Sequence, residues 1–91
     1  MSDPIFGRMP IEAAIETEGL ARVLYEARVH RTNVLEAFNA SNAEDLLSRI
    51  ERGEVAEHPA YEHYLAARIL TETHDAARSA LAAKLAEVNR A

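Results

Sequence analysis

The apolar residues recur every three or four positions over two long stretches of the chain, which is the period of an α-helix. The first stretch covers residues 10–40 and contains one glycine, Gly19, where we expect a bend or a close contact. The second covers residues 59–89 and contains no glycine. Each stretch opens on a proline, a residue well tolerated at the first position of a helix. The pattern therefore predicts two long helices, over about 10–40 and 59–89.

A shorter helix is predicted between them, over residues 42–52. Ser41 and Glu44 have the spacing of a capping box, in which each side chain accepts a hydrogen bond from a free backbone N–H group. Gly53 is typical of a left-handed helix terminator. Residues 1–9 have no period and are interpreted as an extended N-terminal arm before a single helical domain, 10–91. The predicted fold is an all-α, long–short–long helical hairpin.

Each long helix carries two apolar faces, here called its main stripe and its opposite stripe. In the first long helix the main stripe is Leu20, Val23, Leu24, Ala27, Val34, Leu35 and Phe38, and the opposite stripe is Ile11, Ile15, Tyr25 and Val29. In the second, the main stripe is Ala67, Leu70, Ala77, Leu81, Leu85 and Val88, and the opposite stripe is Tyr61, Leu65, Ile69, Ala76, Ala80 and Ala83. A surface helix normally has one apolar face.

Two helices in a hairpin can bury only one face each against the other, and the short helix is too small to cover both opposite stripes. A chain of 91 residues is also small for a self-sufficient core. We therefore predict a homodimer whose four long helices form a bundle. The alternative is a monomer in which the arm and the short helix cover the opposite stripes.

Composition narrows the class of protein. The formal net charge is -5 and the sequence pI about 5.3, which argues against a nucleic-acid partner. No apolar run approaches the ~20 residues of a membrane span, and the chain does not open on a basic region followed by an apolar one. Cysteine is absent, which excludes disulfides and thiolate chemistry. We expect a cytoplasmic protein without a membrane partner.

Charged and imidazole side chains interrupt the main stripes. Glu16 and Arg31 do so in the first long helix, and His63 and His74 in the second. A buried charge is costly unless it is paired, so each of these side chains requires a partner or a ligand. The first interpretation is structural, because polar contacts can fix the register of a helical assembly. An antiparallel alignment of the long helices places Glu16 near Lys84.

Two other interpretations are chemical. Arg31, His63 and His74 are candidate ligand-binding residues, because the arginine fork matches carboxylates and phosphates. Glu26, His30 and His74 are candidate metal ligands, since Glu26 and His30 are four apart on one helix face and the antiparallel alignment brings His74 to the level of Glu26. The Glu-x-x-His motif of di-metal bundles is absent. Residues three before the four histidines are Ala27, Val55, Ala60 and Thr71. No cofactor is predicted.

The long–short–long plan resembles the all-helical chorismate mutases, which are intertwined dimers. That family places one arginine early in the first helix, another 17 positions later and a lysine further along. Here Arg22, Arg28 and Arg31 have no arginine at that distance, and the one lysine, Lys84, lies in the last helix. The resemblance implies a helical architecture and does not extend to the activity.

No catalytic motif is complete. The glycines at positions 7, 19 and 53 form neither a phosphate-binding loop nor a dinucleotide fingerprint, and Arg49 and Arg52 are expected on a solvated face. We predict an accessory or regulatory protein that acts through an unidentified protein partner. Its recognition surface is the arm, through Ile5, Phe6 and Met9, with the exposed side of the short helix. The alternatives are a metal-binding bundle and a small-molecule enzyme with its site between the long helices.

Overall fold

A computed structural model describes residues 10–90, which form three helices and no strand. Helix α1 spans Ile11–Glu36, α2 spans Ala43–Glu51 and α3 spans Glu57–Arg90. The long helices α1 and α3 pack together as a hairpin, and α2 packs against α3. The predicted all-α, long–short–long hairpin is confirmed. The predicted arm, 1–9, lies outside the described residues.

Helix α1 ends at Glu36, about four residues earlier than predicted. Asn39 has a left-handed backbone, with φ 54°. Its N–H donates to the carbonyl of Glu36 at 3.1 Å, and the N–H of Ala40 donates to the carbonyl of Leu35 at 3.0 Å. These two bonds are the Schellman pattern of helix termination, with asparagine in the place usually taken by glycine. The last predicted turn therefore belongs to the connection.

The cap of α2 lies one residue later than predicted. Asn42 Oδ1 accepts a hydrogen bond from the N–H of Asp45 at 2.7 Å, and Asp45 Oδ2 accepts one from the N–H of Ser41 at 3.0 Å. The predicted Ser41–Glu44 capping box is therefore wrong. Asparagine is as good a cap as serine, and the carboxylate of Asp45 can also pair with Arg49, at 3.0 Å. The pairing of Asp45 with Arg49 therefore favours Asn42 rather than Ser41 as the cap of α2.

The end of α2 follows the prediction for Gly53. This glycine has φ 72°, and its N–H donates to the carbonyl of Ile50 at 3.0 Å. The N–H of Glu54 donates to the carbonyl of Arg49 at 2.9 Å, which completes a second Schellman pattern. The start of the short helix is thus set by the side chains of Asn42 and Asp45, and its end by backbone hydrogen bonds around Gly53.

Regular helix in α3 begins at Pro59, as predicted. Within the span Glu57–Arg90, the backbone of His58 is non-helical, with φ -109° and ψ 129°. The residue before a proline is pushed toward extended geometry by the proline ring, so the preceding turn cannot continue into the helix. His58 and Glu57 therefore form an entry turn.

The register of the hairpin is fixed near both ends. Glu16 Oε2 lies 2.7 Å from Lys84 Nζ, and this hydrogen bond raises the pKa of Lys84. At the other end the Phe38 ring packs edge-on against His63, with the ring centroids 4.9 Å apart. The predicted antiparallel alignment and the Glu16–Lys84 contact are both confirmed.

The core is built mainly from small side chains. Within residues 10–90 the buried hydrophobic residues are Ala27, Leu35, Ala43, Leu46, Ala60, Ala67 and Ala77. Five of these seven are alanines, so little apolar area leaves water in one chain. The main stripes face inward with one exception, Val23, which is 41% exposed. The small side chains let the helices pack closely, but they leave the single chain with a small core.

Gly19 lies exposed in α1. Apart from its chain neighbours and the backbone of its own helix, no heavy atom of residues 10–90 lies within 4 Å of the position that a Cβ atom would take. Of the bend or close contact that we expected there, the close contact is absent among these residues. Substitution of Gly19 by alanine should raise the free energy of unfolding by about 0.5–1 kcal/mol, because glycine loses more backbone entropy in a helix. Urea denaturation measures this, with Ala21→Gly as the matched opposite change. A loss of stability in Gly19→Ala would contradict the open surroundings of this site.

Candidate functional site

Large apolar side chains lie on the solvent side of both long helices. They belong to the opposite stripes: Ile11, Ile15 and Tyr25 on α1, and Tyr61, Leu65 and Ile69 on α3. Ile11 is 73% exposed and Ile69 is 60% exposed. The short helix leaves these six side chains exposed, and the arm, which shares the covering role in the monomeric alternative, lies outside the described residues. Exposed apolar patches are common at interaction sites, so the two stripes form a candidate interaction surface.

The second candidate site is a cleft at the end of the hairpin that holds α2. Its volume is about 550 Å³. It lies between α1, the connection after α1, and the start of α2, and Thr71 of α3 closes one side. Its polar lining consists of Arg31, Thr32, Glu36, Ser41, Asn42, Glu44 and Thr71. A smaller cleft of about 210 Å³ adjoins it and adds Arg68 and Glu72.

Arg31 is the predicted ligand-binding residue that lines this cleft. It is half-buried, and no ion pair or hydrogen bond among residues 10–90 involves its side chain. A purely structural arginine in a main stripe needs a carboxylate partner, and neither Glu26 nor Glu72 supplies one. Glu72 pairs instead with Arg68, at 3.4 Å. The guanidinium of Arg31 is therefore available to a ligand.

His63 lies outside the lining of both clefts and has a structural environment. Its Nδ1 lies 3.1 Å from the carbonyl oxygen of Pro59, which can only accept, so Nδ1 carries the proton. Its ring packs on Phe38. These contacts account for the position of His63 in the main stripe without a ligand. His63 and Arg31 therefore do not belong to the same cleft.

His74 is the most enclosed of the predicted metal ligands. Its side chain is 15% exposed, and Nδ1 lies 3.1 Å from Asp75 Oδ1. Glu26 and His30 are exposed on α1. Within residues 10–90 no three histidine, aspartate or glutamate side chains form a group that could hold a metal ion. The chain on its own does not assemble Glu26, His30 and His74 into a site.

A further His–carboxylate pair lies at the start of α3. His58 Nδ1 lies 2.8 Å from Glu62 Oε1, and both side chains are exposed. This hydrogen bond is the main reason that the pKa of Glu62 is lowered. Two exposed ligands are too few to hold a metal ion, so we interpret the pair as a surface contact.

Arg49 makes structural contacts that the sequence did not reveal. Instead of lying on a solvated face, it donates to the carbonyls of Phe38 at 2.9 Å and Asn39 at 3.1 Å. It also pairs with Asp45. The pKa of Asp45 is lowered mainly by the hydrogen bond from the N–H of Ser41 and, to a smaller extent, by Arg49. Arg49 thereby joins α2 to the connection that follows α1. The only signal for this in the sequence was its four-residue spacing from Asp45.

None of the helices within residues 10–90 has the length and apolar character needed to cross a membrane. The fold and its surfaces define an all-α helical hairpin with uncovered apolar faces on both long helices. The chain belongs to the family described as "Uncharacterized protein MJ0235 family", whose model matches residues 11–91. No curated protein and no solved structure matches this chain.

Proposed function

We propose that the protein is a homodimeric accessory or regulatory protein that acts by binding another protein. The observation that carries this proposal is the exposure of large apolar side chains along the opposite stripes, at positions such as Ile15, Tyr25 and Ile69. Such patches on small proteins mark protein–protein contacts. The net charge of -5 disfavours nucleic acid as the partner. The proposal includes a cytoplasmic location.

The shape of the single chain supports the homodimer. The radius of gyration is 17.6 Å and the extents are 54 × 21 × 17 Å, whereas a compact domain of this length has a radius of about 12 Å. A two-helix hairpin with a core of mainly alanine leaves much of its apolar surface in water. A second copy packed on the long helices would bury that surface and enlarge the core.

Native mass spectrometry of the protein purified from its source tests the proposal. We expect a dimer that carries a second protein and no metal ion. Ile15→Glu should release the second protein, because a carboxylate in an apolar contact loses its hydration. Ala21→Glu places the same charge at another exposed position of α1 and should retain it. A monomer that carries no protein would contradict the proposal.

A second candidate function is the binding of a small molecule in the cleft. The specific observation that favours it is the position of Arg31 on the cleft wall without an ion-pair partner among residues 10–90. Glu36 and Glu44 line the same cleft, so a purely anionic ligand would be repelled. A small zwitterion, such as an amino acid, has a carboxylate for Arg31 and an ammonium group for the glutamates.

Substitution of Arg31 by methionine distinguishes a ligand-binding arginine from a structural one. Because no carboxylate of residues 10–90 pairs with Arg31, we expect the melting temperature of the free protein to stay within about 2 °C of the original, which corresponds to a change below ~0.5 kcal/mol. Any rise in melting temperature produced by amino acids or small carboxylates should disappear. A loss on the order of 3–5 kcal/mol would instead indicate a buried carboxylate left unpaired.

A further inference from the structure

We infer that α3 packs antiparallel against α3 of a second copy, about a two-fold axis that passes between Glu72 and Thr73. This inference rests on the proposed homodimer and specifies its contact surface. The surface is the opposite stripe of α3, whose members are all exposed in the single chain. The occupant of this surface is thus a second copy of the same chain.

The order of large and small residues along the stripe makes it complementary to itself. The large residues come first, at Tyr61, Leu65 and Ile69, and the alanines follow, at positions 76, 80 and 83. Leu65 and Ala80 are equally far from the proposed axis, and so are Ile69 and Ala76. Tyr61 meets the position of Ala83 to within one residue. An antiparallel pair therefore sets each large side chain against an alanine.

Packing density favours this arrangement over a parallel one. In a parallel pair, Leu65 would meet Leu65 of the other copy and Ala80 would meet Ala80. The helices would be held apart at one end and leave a gap at the other. Protein contacts are close-packed, and facing positions of different size interdigitate best. The stripe thus has the pattern expected of an isologous contact in a two-fold dimer.

The charges of α3 favour the same orientation. Residues 57–72 carry three glutamates and one arginine, a balance of -2 with histidine neutral. Residues 73–90 carry three basic and two acidic side chains, a balance of +1. An antiparallel pair places the acidic half of each helix beside the basic half of the other. A parallel pair would place the two acidic halves together, which is unfavourable.

Disulfide trapping tests the arrangement directly, because the chain has no cysteine of its own. The double variant Leu65→Cys/Ala80→Cys should form a covalent dimer under mild oxidation. Within one chain the two positions are 15 residues apart, or about 22 Å along the helix, so they cannot bond to each other. Ile69→Cys/Ala76→Cys is a second pair and should behave in the same way.

The single variant Leu65→Cys is the matched control and should remain uncoupled, since its two copies would lie about 22 Å apart across the axis. Efficient coupling of this single variant would overturn the antiparallel arrangement. Sedimentation equilibrium of the cysteine-free protein distinguishes the homodimer itself from its antiparallel contact between the two copies of α3. A dimer in which neither double variant couples would overturn the contact and leave the homodimer standing. A monomer at all concentrations would overturn both.

Discussion

Ile69→Glu should convert the proposed homodimer into a folded monomer. Ile69 is 60% exposed in the single chain, so the fold of the hairpin does not depend on it. In the dimer, each of the two copies would lose on the order of 1 kcal/mol of apolar burial. Each would also bury a carboxylate without a partner, at a cost of about 1–3 kcal/mol. The sum over both copies corresponds to at least a hundredfold rise in the dimer dissociation constant.

Sedimentation velocity over a concentration series measures this change, and circular dichroism checks that the variant remains helical. Ala82→Glu is the control, because it adds the same charge at an exposed position of α3 away from the opposite stripe. It should leave the dissociation constant within a few-fold of the original. If both variants dissociate the dimer alike, net charge rather than the stripe governs association.

Leu46→Ala should give a large loss of stability, about 3 kcal/mol within the usual range of about 2–5 kcal/mol for a buried leucine. Leu46 is 0% exposed and is the largest fully buried side chain among residues 10–90. Truncation removes its burial and leaves a cavity under α2. For a domain of this size the melting temperature should fall by more than about 10 °C.

Leu47→Ala provides the comparison, because Leu47 is adjacent and only half-buried. Its loss should be clearly smaller. Urea denaturation should be done at one fixed protein concentration, since association adds concentration-dependent stability. If Leu46→Ala and Leu47→Ala lose the same amount, α2 does not insert Leu46 into the core as described.

The fold was largely predictable because proline and glycine punctuate the chain at the helix ends. Gly53 and Pro59 act through backbone geometry alone, and both predictions are confirmed. The errors fall at asparagines. Asn39 and Asn42 each take a role that the sequence assigns equally well to a neighbour, and the candidate caps differ by only a few tenths of a kcal/mol. Tertiary contacts, such as that of Arg49 with the end of α1, decide between such close alternatives.

The candidate sites were predictable only where they depend on helix periodicity. The opposite stripes and the Glu16–Lys84 pair follow from 1.5 Å of rise per residue and an antiparallel alignment. The cleft beside Arg31 was not predictable, because part of its wall is formed by the irregular connection after α1. The role of Arg49 was hidden for the same reason. Its acceptors are the carbonyls of Phe38 and Asn39, which lie in the connection that follows α1.

The hydrogen bonds by which Arg49 joins α2 to the connection after α1 also affect how the chain folds. Its hydrogen bonds join residues no more than 11 positions apart, whereas the Glu16–Lys84 contact closes the hairpin across most of the sequence. Short loops close at a lower entropic cost and earlier than long ones. The C-terminal end of α1, together with α2, should therefore form a local nucleus before α3 docks. Arg49 would then set the rate at which the hairpin forms, while Lys84 would act mainly on the rate at which it opens.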